Sequence, residues 1–175
     1  MIEQHVTFPD TSDPSKTITL EIIKFNDQIN ISSFCCGVEE LNHFLLNESK
    51  TPHFEKEKGT FFITQGNHIV GYFTLSIQRL NISIRSYEYK ELNCFHLDNL
   101  AIASMHHRKK FATAIMITLI ASLNKLSDNL QFVRGFSLNP KTVALESFYK
   151  SLSFEAMRIY PDDGLDYFWI DFKKY

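Results

Sequence analysis

Five consecutive nitrogen-bearing side chains, His106-His107-Arg108-Lys109-Lys110, stand between two apolar runs in LAIASMHHRKKFATAIM, Leu100 to Met116. The chemistry open to such a stretch is anion binding. The first turn of a helix presents backbone N–H groups with no intrahelical partner and the positive end of the helix dipole, so a tight strand-to-helix turn can cradle a phosphate. Cations at that end disfavour an isolated helix, which places a negative group nearby. The competing reading is an exposed basic turn balanced by solvent. Just upstream, His96 and Asp98 are spaced to share one face of an extended strand with Leu100 and Ile102. Such a pair can pass a proton through water, and it equally fits an ordinary solvent-facing polar pair. Downstream, Leu145, Phe148, Tyr149 and Leu152 form an apolar stripe at helical spacing, which on pattern alone reads as core.

The three cysteines, Cys35, Cys36 and Cys94, form an odd set with two adjacent. That pattern argues for reduced structural thiols rather than a disulfide framework. Cys94 has no identifiable base or anion hole, so a buried thiol is expected there rather than a nucleophile. There is no Cys-x-x-Cys pair, and the seven histidines are scattered apart from His106 and His107. No metal site is expected.

Positioning these groups falls to one domain, since 175 residues, 44% of them hydrophobic, bury one good-sized core but are too few for two ordinary ones. Residues 1–16, with Pro9, Asp10, Asp13 and Pro14, read as a loose N-terminal arm, and 17–175 as the domain. TITLEIIKF, Thr17 to Phe25, is a β-rich run, and Gly37 to Asn47 has Val38, Leu41, Phe44 and Leu45 at helical spacing. Thr60 to Leu80 reads as two strands turning at Gln65-Gly66-Asn67. A polar connection leads to the strand CFHLDNLAIAS, then to a helix from about Arg108 to Leu126 that is apolar on most sides between Ala114 and Ala121. QFVRGFSL gives a strand, Pro140 to Leu152 a helix opened by Asn-Pro, and FEAMRIYP and DYFWIDF two closing strands. The order β, α, ββ, β, α, β, α, ββ makes an α/β (α+β mixed) sheet with helices packed on it.

The formal net charge of -2 removes the whole-protein field of a dedicated nucleic-acid binder but leaves room for a local basic patch. The longest apolar run, Ala114 to Ala121, is interrupted by Thr118 and falls well short of the roughly 20 residues of a bilayer crossing. MIEQHVTFPD lacks the charged start and apolar stretch of an export signal. A cytoplasmic protein without membrane contact is expected.

Four segments agree with a single family. Leu100-Ala101-Ile102 matches the end of a central strand, and His107-Arg108-Lys109-Lys110-Phe111-Ala112 falls in register with a loop of the form Gln/Arg-x-x-Gly-x-Gly/Ala. LNPKTVALESFYKSLSF matches Asn-x-x-Ala-x-x-Phe-Tyr-x-x-x-Gly-Phe at Asn139, Phe148, Tyr149 and Phe154, while FCCGVEELNHFL and IVGYFTLS match an opening motif and a central hairpin. Over roughly residues 20 to 172 the chain resembles the GNAT N-acetyltransferases, nearest to their toxin-like branch.

That resemblance implies the GNAT fold, a central mixed, mostly antiparallel β-sheet flanked by helices, and acetyl-CoA as a co-substrate without a metal. It implies that Leu100, Ala101, Ile102, His107, Arg108, Lys109, Lys110, Phe111, Ala112, Thr113, Asn139 and Phe148 hold the cofactor. An amine would attack the thioester directly in a ternary complex, with Tyr149 protonating the leaving thiolate and a backbone N–H near Ile102 polarising the carbonyl. Counting nine residues back from the loop's first position places the base at Asp98, with His96 beside it. Lys110 stands where a glycine lets backbone approach phosphate, Ser153 stands at another usual glycine, and His107 replaces Gln or Arg.

Two other readings stay open. The toxin-like branch acetylates charged tRNA and is held inactive by a ribbon-helix-helix antitoxin; a non-catalytic relative with a degenerate loop would instead bind proteins. An acidic chain is poorly suited to RNA, since affinity there comes from cations on phosphates. Lys50, Lys56 and Lys58 could join Arg108 to Lys110 in a patch, but Glu48, Glu55 and Glu57 interleave them. The partners to test are therefore an amine acceptor, tRNA, an antitoxin and a second copy in a homodimer.

Overall fold

The computed structural model describes residues 2, 4–50, 58–85, 88–159 and 164–174. Eight strands are β1 (His5–Pro9), β2 (Thr17–Lys24), β3 (Gly59–Gln65), β4 (His68–Arg85), β5 (Glu88–Ile102), β6 (Val133–Leu138), β7 (Glu155–Met157) and β8 (Tyr167–Asp171). The helices are α1 (Glu39–His43), continued by a π-turn over Phe44–Glu48, then α2 (Phe111–Leu130) and α3 (Val143–Ser151). The strands are hydrogen-bonded in the order β1-β2-β3-β4-β5-β6-β8-β7. The β5–β6 pair is parallel; β1–β2, β2–β3, β3–β4, β6–β8 and β7–β8 are antiparallel. This is the mixed, mostly antiparallel sheet with helices that the GNAT resemblance implies.

Several boundaries differ from the sequence reading, each for a local reason. The supposed loose arm contains β1, whose residues His5 to Pro9 pair with Glu21 to Thr17 of β2. Its Val6 and Phe8 alternate with polar neighbours, a period-2 signal that the flanking prolines obscured. The polar connection after Leu80 is largely strand, because β4 runs to Arg85 and β5 starts at Glu88. The expected hairpin is present, with Gly66 at φ 58° in its turn. The long helix starts at Phe111 rather than Arg108, since Arg108 and Lys110 are left-handed and cannot continue a right-handed helix. It runs on to Leu130, where Gln131 at φ 58° donates its N–H to Ser127 O (2.9 Å). The third helix starts at Val143, because Thr142 is its cap and accepts from Leu145 N–H through Oγ1 (3.2 Å). Tyr160 and Pro161 of the expected strand FEAMRIYP lie outside the described residues.

The chain forms two compact units. One comprises Ile2–Leu75 and Asn99–Leu119, the other Ser76–Asp98 and Ile120–Tyr175. The first is centred on Phe34, Cys36, Leu45, Phe62, Tyr72, Ala101 and Ala103. The opening motif joins this core: Phe34 meets the Tyr72 ring edge-on at 5.7 Å, and Tyr72 donates its O–H to Leu41 O at 2.7 Å. Gly71 is required here, since a Cβ on it would lie 2.6 Å from Ala101 O. The second unit has a core of Leu80, Ile82, Cys94, Tyr167 and Trp169. Among the described residues no helix is long and apolar enough to cross a membrane.

Candidate functional site

The strand-to-helix loop is built by its own backbone and by rings on either side. β5 ends at Ile102, and a 3₁₀ turn over Ser104–His106 closes with His106 N–H to Ala103 O (2.8 Å) and His107 N–H to Ser104 O (3.1 Å). His107 Nε2 lies 2.8 Å from Ile102 O. A carbonyl can only accept, so that nitrogen carries the proton and the ring ties the loop back to its strand. Arg108 (φ 62°) and Lys110 (φ 61°) are left-handed, whereas Lys109 between them is not. Positive φ at two positions of this loop is the conformation that glycine adopts most easily. Each left-handed non-glycine residue costs roughly 1 kcal/mol, so the surroundings must hold the conformation.

Those surroundings centre on Phe111, the first residue of α2 and only 2% exposed. His106 stacks on its ring at 5.0 Å and 19°, and Phe8 of β1 meets it edge-on at 5.3 Å and 76°. Burial and, secondarily, the charge of Lys109 hold the His106 pKa below its ordinary value, which keeps the stacked imidazole neutral. His107, Arg108, Lys109 and Lys110 are exposed, Ala112 and Thr113 half-buried. Ala101 and Ile102 are buried and Leu100 half-buried. The Ala103 N–H donates to Val70 O at 2.9 Å, so that amide already has its partner.

His96 is 4% exposed and pairs in register with Ser137 of β6, its Nδ1 2.9 Å from Ser137 Oγ. Ser137 Oγ–H donates to Phe95 O at 3.2 Å. The Ser137 hydroxyl thus lies within reach of both the His96 imidazole and the Phe95 carbonyl and fixes the ring against β6. Asp98, two residues on, is half-buried. Nothing in the sequence singled out Ser137, because its partnership exists only through the β5–β6 register; Phe8 was missed likewise, and His106 was read as part of the basic stretch rather than as a ring stacked on Phe111.

Tyr149 is 7% exposed on α3, its ring against Phe148 (5.1 Å) and Phe154 (5.6 Å). Burial pushes its phenol up to about 12, so the hydroxyl stays protonated at neutral pH. Asn139 donates from Nδ2 to Asp166 O at 2.8 Å, tying the end of β6 to the segment before β8. Ser153 has φ 70° and ends α3 with its N–H on Lys150 O (3.1 Å), while Phe154 N–H returns to Tyr149 O (3.1 Å). Both unusual residues thus keep the backbone hand that glycine adopts easily. Cys94 is fully buried, and burial raises its thiol to about 12, which leaves it inert as a nucleophile. His96, Asp98, Asn139, Phe148 and Tyr149 belong to one compact unit; Leu100 to Thr113 belong to the other.

Comparison with solved structures shows a tyrosine-to-phenylalanine mutant of KacT at TM-score 0.76 and 19% identity, covering 89% of this chain and 96% of that one. AtaT complexed with acetyl-methionyl-tRNAfMet gives TM-score 0.76 and 20% identity, over 89% and 96% of the two chains. AtaTR bound with acetyl-CoA gives 0.75 and 19%, over 89% and 95%. No curated protein matches the sequence. The acetyltransferase (GNAT) family model matches residues 26–154, which span the opening motif, the hairpin, the loop and α3, and on that match the chain belongs to the GNAT acetyltransferase family.

Proposed function

We propose that this chain transfers the acetyl group of acetyl-CoA to a primary amine by direct attack in a ternary complex. The observation that carries the reading is the backbone at the start of α2, where Arg108 and Lys110 hold a left-handed conformation in a loop rich in cations. Lys110, in the position where glycine lets backbone approach phosphate, has the positive φ that glycine adopts easily. The amides of Arg108 to Thr113 are the proposed seat of the pyrophosphate, with Arg108, Lys109 and Lys110 adding charge. Leu100, Ala101 and Ile102 lead into that seat, and Asn139 and Phe148 complete the proposed cofactor set. Bound acetyl-CoA supplies the activated acyl group.

The chain's own groups then manage protons and charge. Asp98, with His96 beside it, is the proposed base, and Ser137 holds the His96 ring through Nδ1. Ile102 N–H is the proposed donor to the developing oxyanion. Tyr149 is the proposed donor to the leaving thiolate. Its pKa of about 12 lies above the roughly 8.5 of an ordinary thiol, so its main action is a hydrogen bond to the thiolate rather than outright loss of its proton. Incubation with acetyl-labelled acetyl-CoA and a panel of amines, charged tRNA included, tests this. Label on nitrogen with one free thiol released per acetyl is expected; hydrolysis alone, or no transfer to any amine class, contradicts it.

A second reading, acetylation of aminoacyl-tRNA under the control of an antitoxin, is favoured by the likeness to AtaT and KacT, solved in complexes described as containing acetyl-methionyl-tRNAfMet, the antitoxin AtaR, or DNA. The charge pattern weighs against it. Lys50 is paired with Asp27 at 3.2 Å, and Lys56, Glu55 and Glu57 lie outside the described residues. Transfer to aminoacyl-tRNA but not to free amino-acid amides would establish it.

A further inference from the structure

The second compact unit holds a cavity of about 370 Å³ that the acetyl-transfer chemistry does not use. It lies where α2 ends and β6 begins, and its lining includes Leu92, Asp128, Phe132, Arg134, Phe172 and Lys173. Part of the lining is fixed. Arg134 grips Asp171 through two parallel bonds, Nε to Oδ1 and Nη2 to Oδ2, each 2.6 Å, and Lys173 N–H donates to Oδ1 at 3.0 Å. Arg134 and Asp171 thus neutralise each other. The Phe132 carbonyl accepts from Asn93 Nδ2 at 3.2 Å, while its side chain stands at the rim, the residue 56% exposed. Two other charges are not so spent. Among the described residues neither the carboxylate of Asp128 nor the ammonium of Lys173 has an ion-pair partner, although both line this one cavity. Asp128 sits in the last turn of α2, which has no basic residue. The carbonyls there form the negative end of the helix dipole, so the carboxylate adds to a field that already favours a cation.

We propose that this cavity binds a free α-amino acid with an apolar side chain, its ammonium on Asp128 and the end of α2, its carboxylate on Lys173, and its side chain against Leu92, Phe132 and Phe172. A zwitterion meets both unpaired charges at once. A simple amine, a carboxylic acid or one end of a peptide meets only one of them. The volume is at the small end of ligand cavities, which suits a molecule of amino-acid size, and the aromatic surface suits an apolar side chain. The site is separate from the proposed reaction centre: Arg134 lies three residues along β6 from Ser137, the partner of His96, about 10 Å at strand spacing. The bound amino acid is therefore a ligand that joins the end of α2 to the 3₁₀ turn Phe172–Lys174, not the acceptor of the acetyl group. The inference stands apart from the acetyl-CoA reading.

The test is calorimetric titration of L-leucine, N-acetyl-L-leucine, L-leucinamide and glycine into the intact chain and into Asp128→Asn, Lys173→Met and Phe132→Ala. All three altered residues are exposed, so the variants keep the core. The unaltered chain is expected to prefer L-leucine by about fivefold over each singly charged derivative, the scale of one exposed ion pair. Asp128→Asn should erase the preference over N-acetyl-L-leucine, and Lys173→Met the preference over L-leucinamide. Phe132→Ala should narrow the preference for L-leucine over glycine while leaving both charge preferences in place. Absence of saturable heat with L-leucine at millimolar concentration, equal affinity for the zwitterion and its derivatives, or preferences that survive Asp128→Asn and Lys173→Met would each overturn the site, the last because leucine would then be bound elsewhere, as at the acceptor position. None of these results bears on acetyl-CoA binding, which titration of acetyl-CoA into the same variants reads separately and which should be unchanged in all three.

Discussion

At the start of α2, Arg108 and Lys110 hold left-handed backbone among exposed cations; at the end of α3, Ser153 holds it with its own amide on Lys150 O and the next amide on Tyr149 O. Both places carry a side chain where the GNAT pattern has glycine. At α3 the helix terminus satisfies itself, so the conformation serves packing, turning Phe154 back onto the rings of Tyr149 and Phe136. At α2 the first-turn amides have no partner within the helix, and the loop adds positive charge to the positive end of the dipole. Strain by itself does not mark a functional site. Strain combined with unsatisfied donors and concentrated charge does.

The comparison breaks most severely at the aromatic supports. Phe111→Ala and Phe154→Ala each remove a ring that is 2% exposed, and each should cost about 3–5 kcal/mol in chemical denaturation. Of the two, Phe111→Ala alone should also abolish acetyl-CoA binding by the molecules that remain folded; equal loss in both variants would remove the distinction between the regions. Next in size, Tyr149→Phe keeps the packing and deletes the hydroxyl, and turnover should fall by about a hundredfold with acetyl-CoA affinity unchanged. Unchanged turnover would confine Tyr149 to the core.

Glycine restorations sharpen the contrast with smaller effects. Ser153→Gly and Lys110→Gly should each raise stability by roughly 0.5–1 kcal/mol, because glycine enters the left-handed region without the Cβ penalty. Ser153→Gly should leave ligand affinity alone, whereas Lys110→Gly should alter it. The smallest effect is on pH. The folded-state pKa of His106 lies below its usual 6.5, so between the two values the unfolded chain binds more protons. The contribution is therefore fully present above pH 6.5 and is lost as pH falls through the folded value. His106→Phe should flatten that acid limb in denaturation series, and an unaltered limb would assign it to other groups.

The sequence carried most of the fold because its strongest patterns are local. Gln65-Gly66-Asn67 marks a hairpin, FCCG with LNHFL fills a core around Tyr72, and the run to Ile102 ends where the charged loop begins. It failed where one local signal masked another, as when Pro9 and Pro14 hid the alternation of Val6 and Phe8 in β1. The site was readable as a list of residue types and unreadable as an arrangement. The rings of His106 and Phe8 meet Phe111 next to the positive-φ Lys110, and His96 finds its hydroxyl partner in a serine forty-one residues away brought alongside by strand register.

Amide shifts of the nitrogen-15-labelled chain during titration with acetyl-CoA measure the central claim at the atoms concerned. The largest, saturable changes are expected at the N–H groups of Arg108 to Thr113, with those of Ser153 and Phe154 much less affected. A titration that leaves the start of α2 unmoved while the cofactor binds elsewhere, or does not bind at all, would contradict the account.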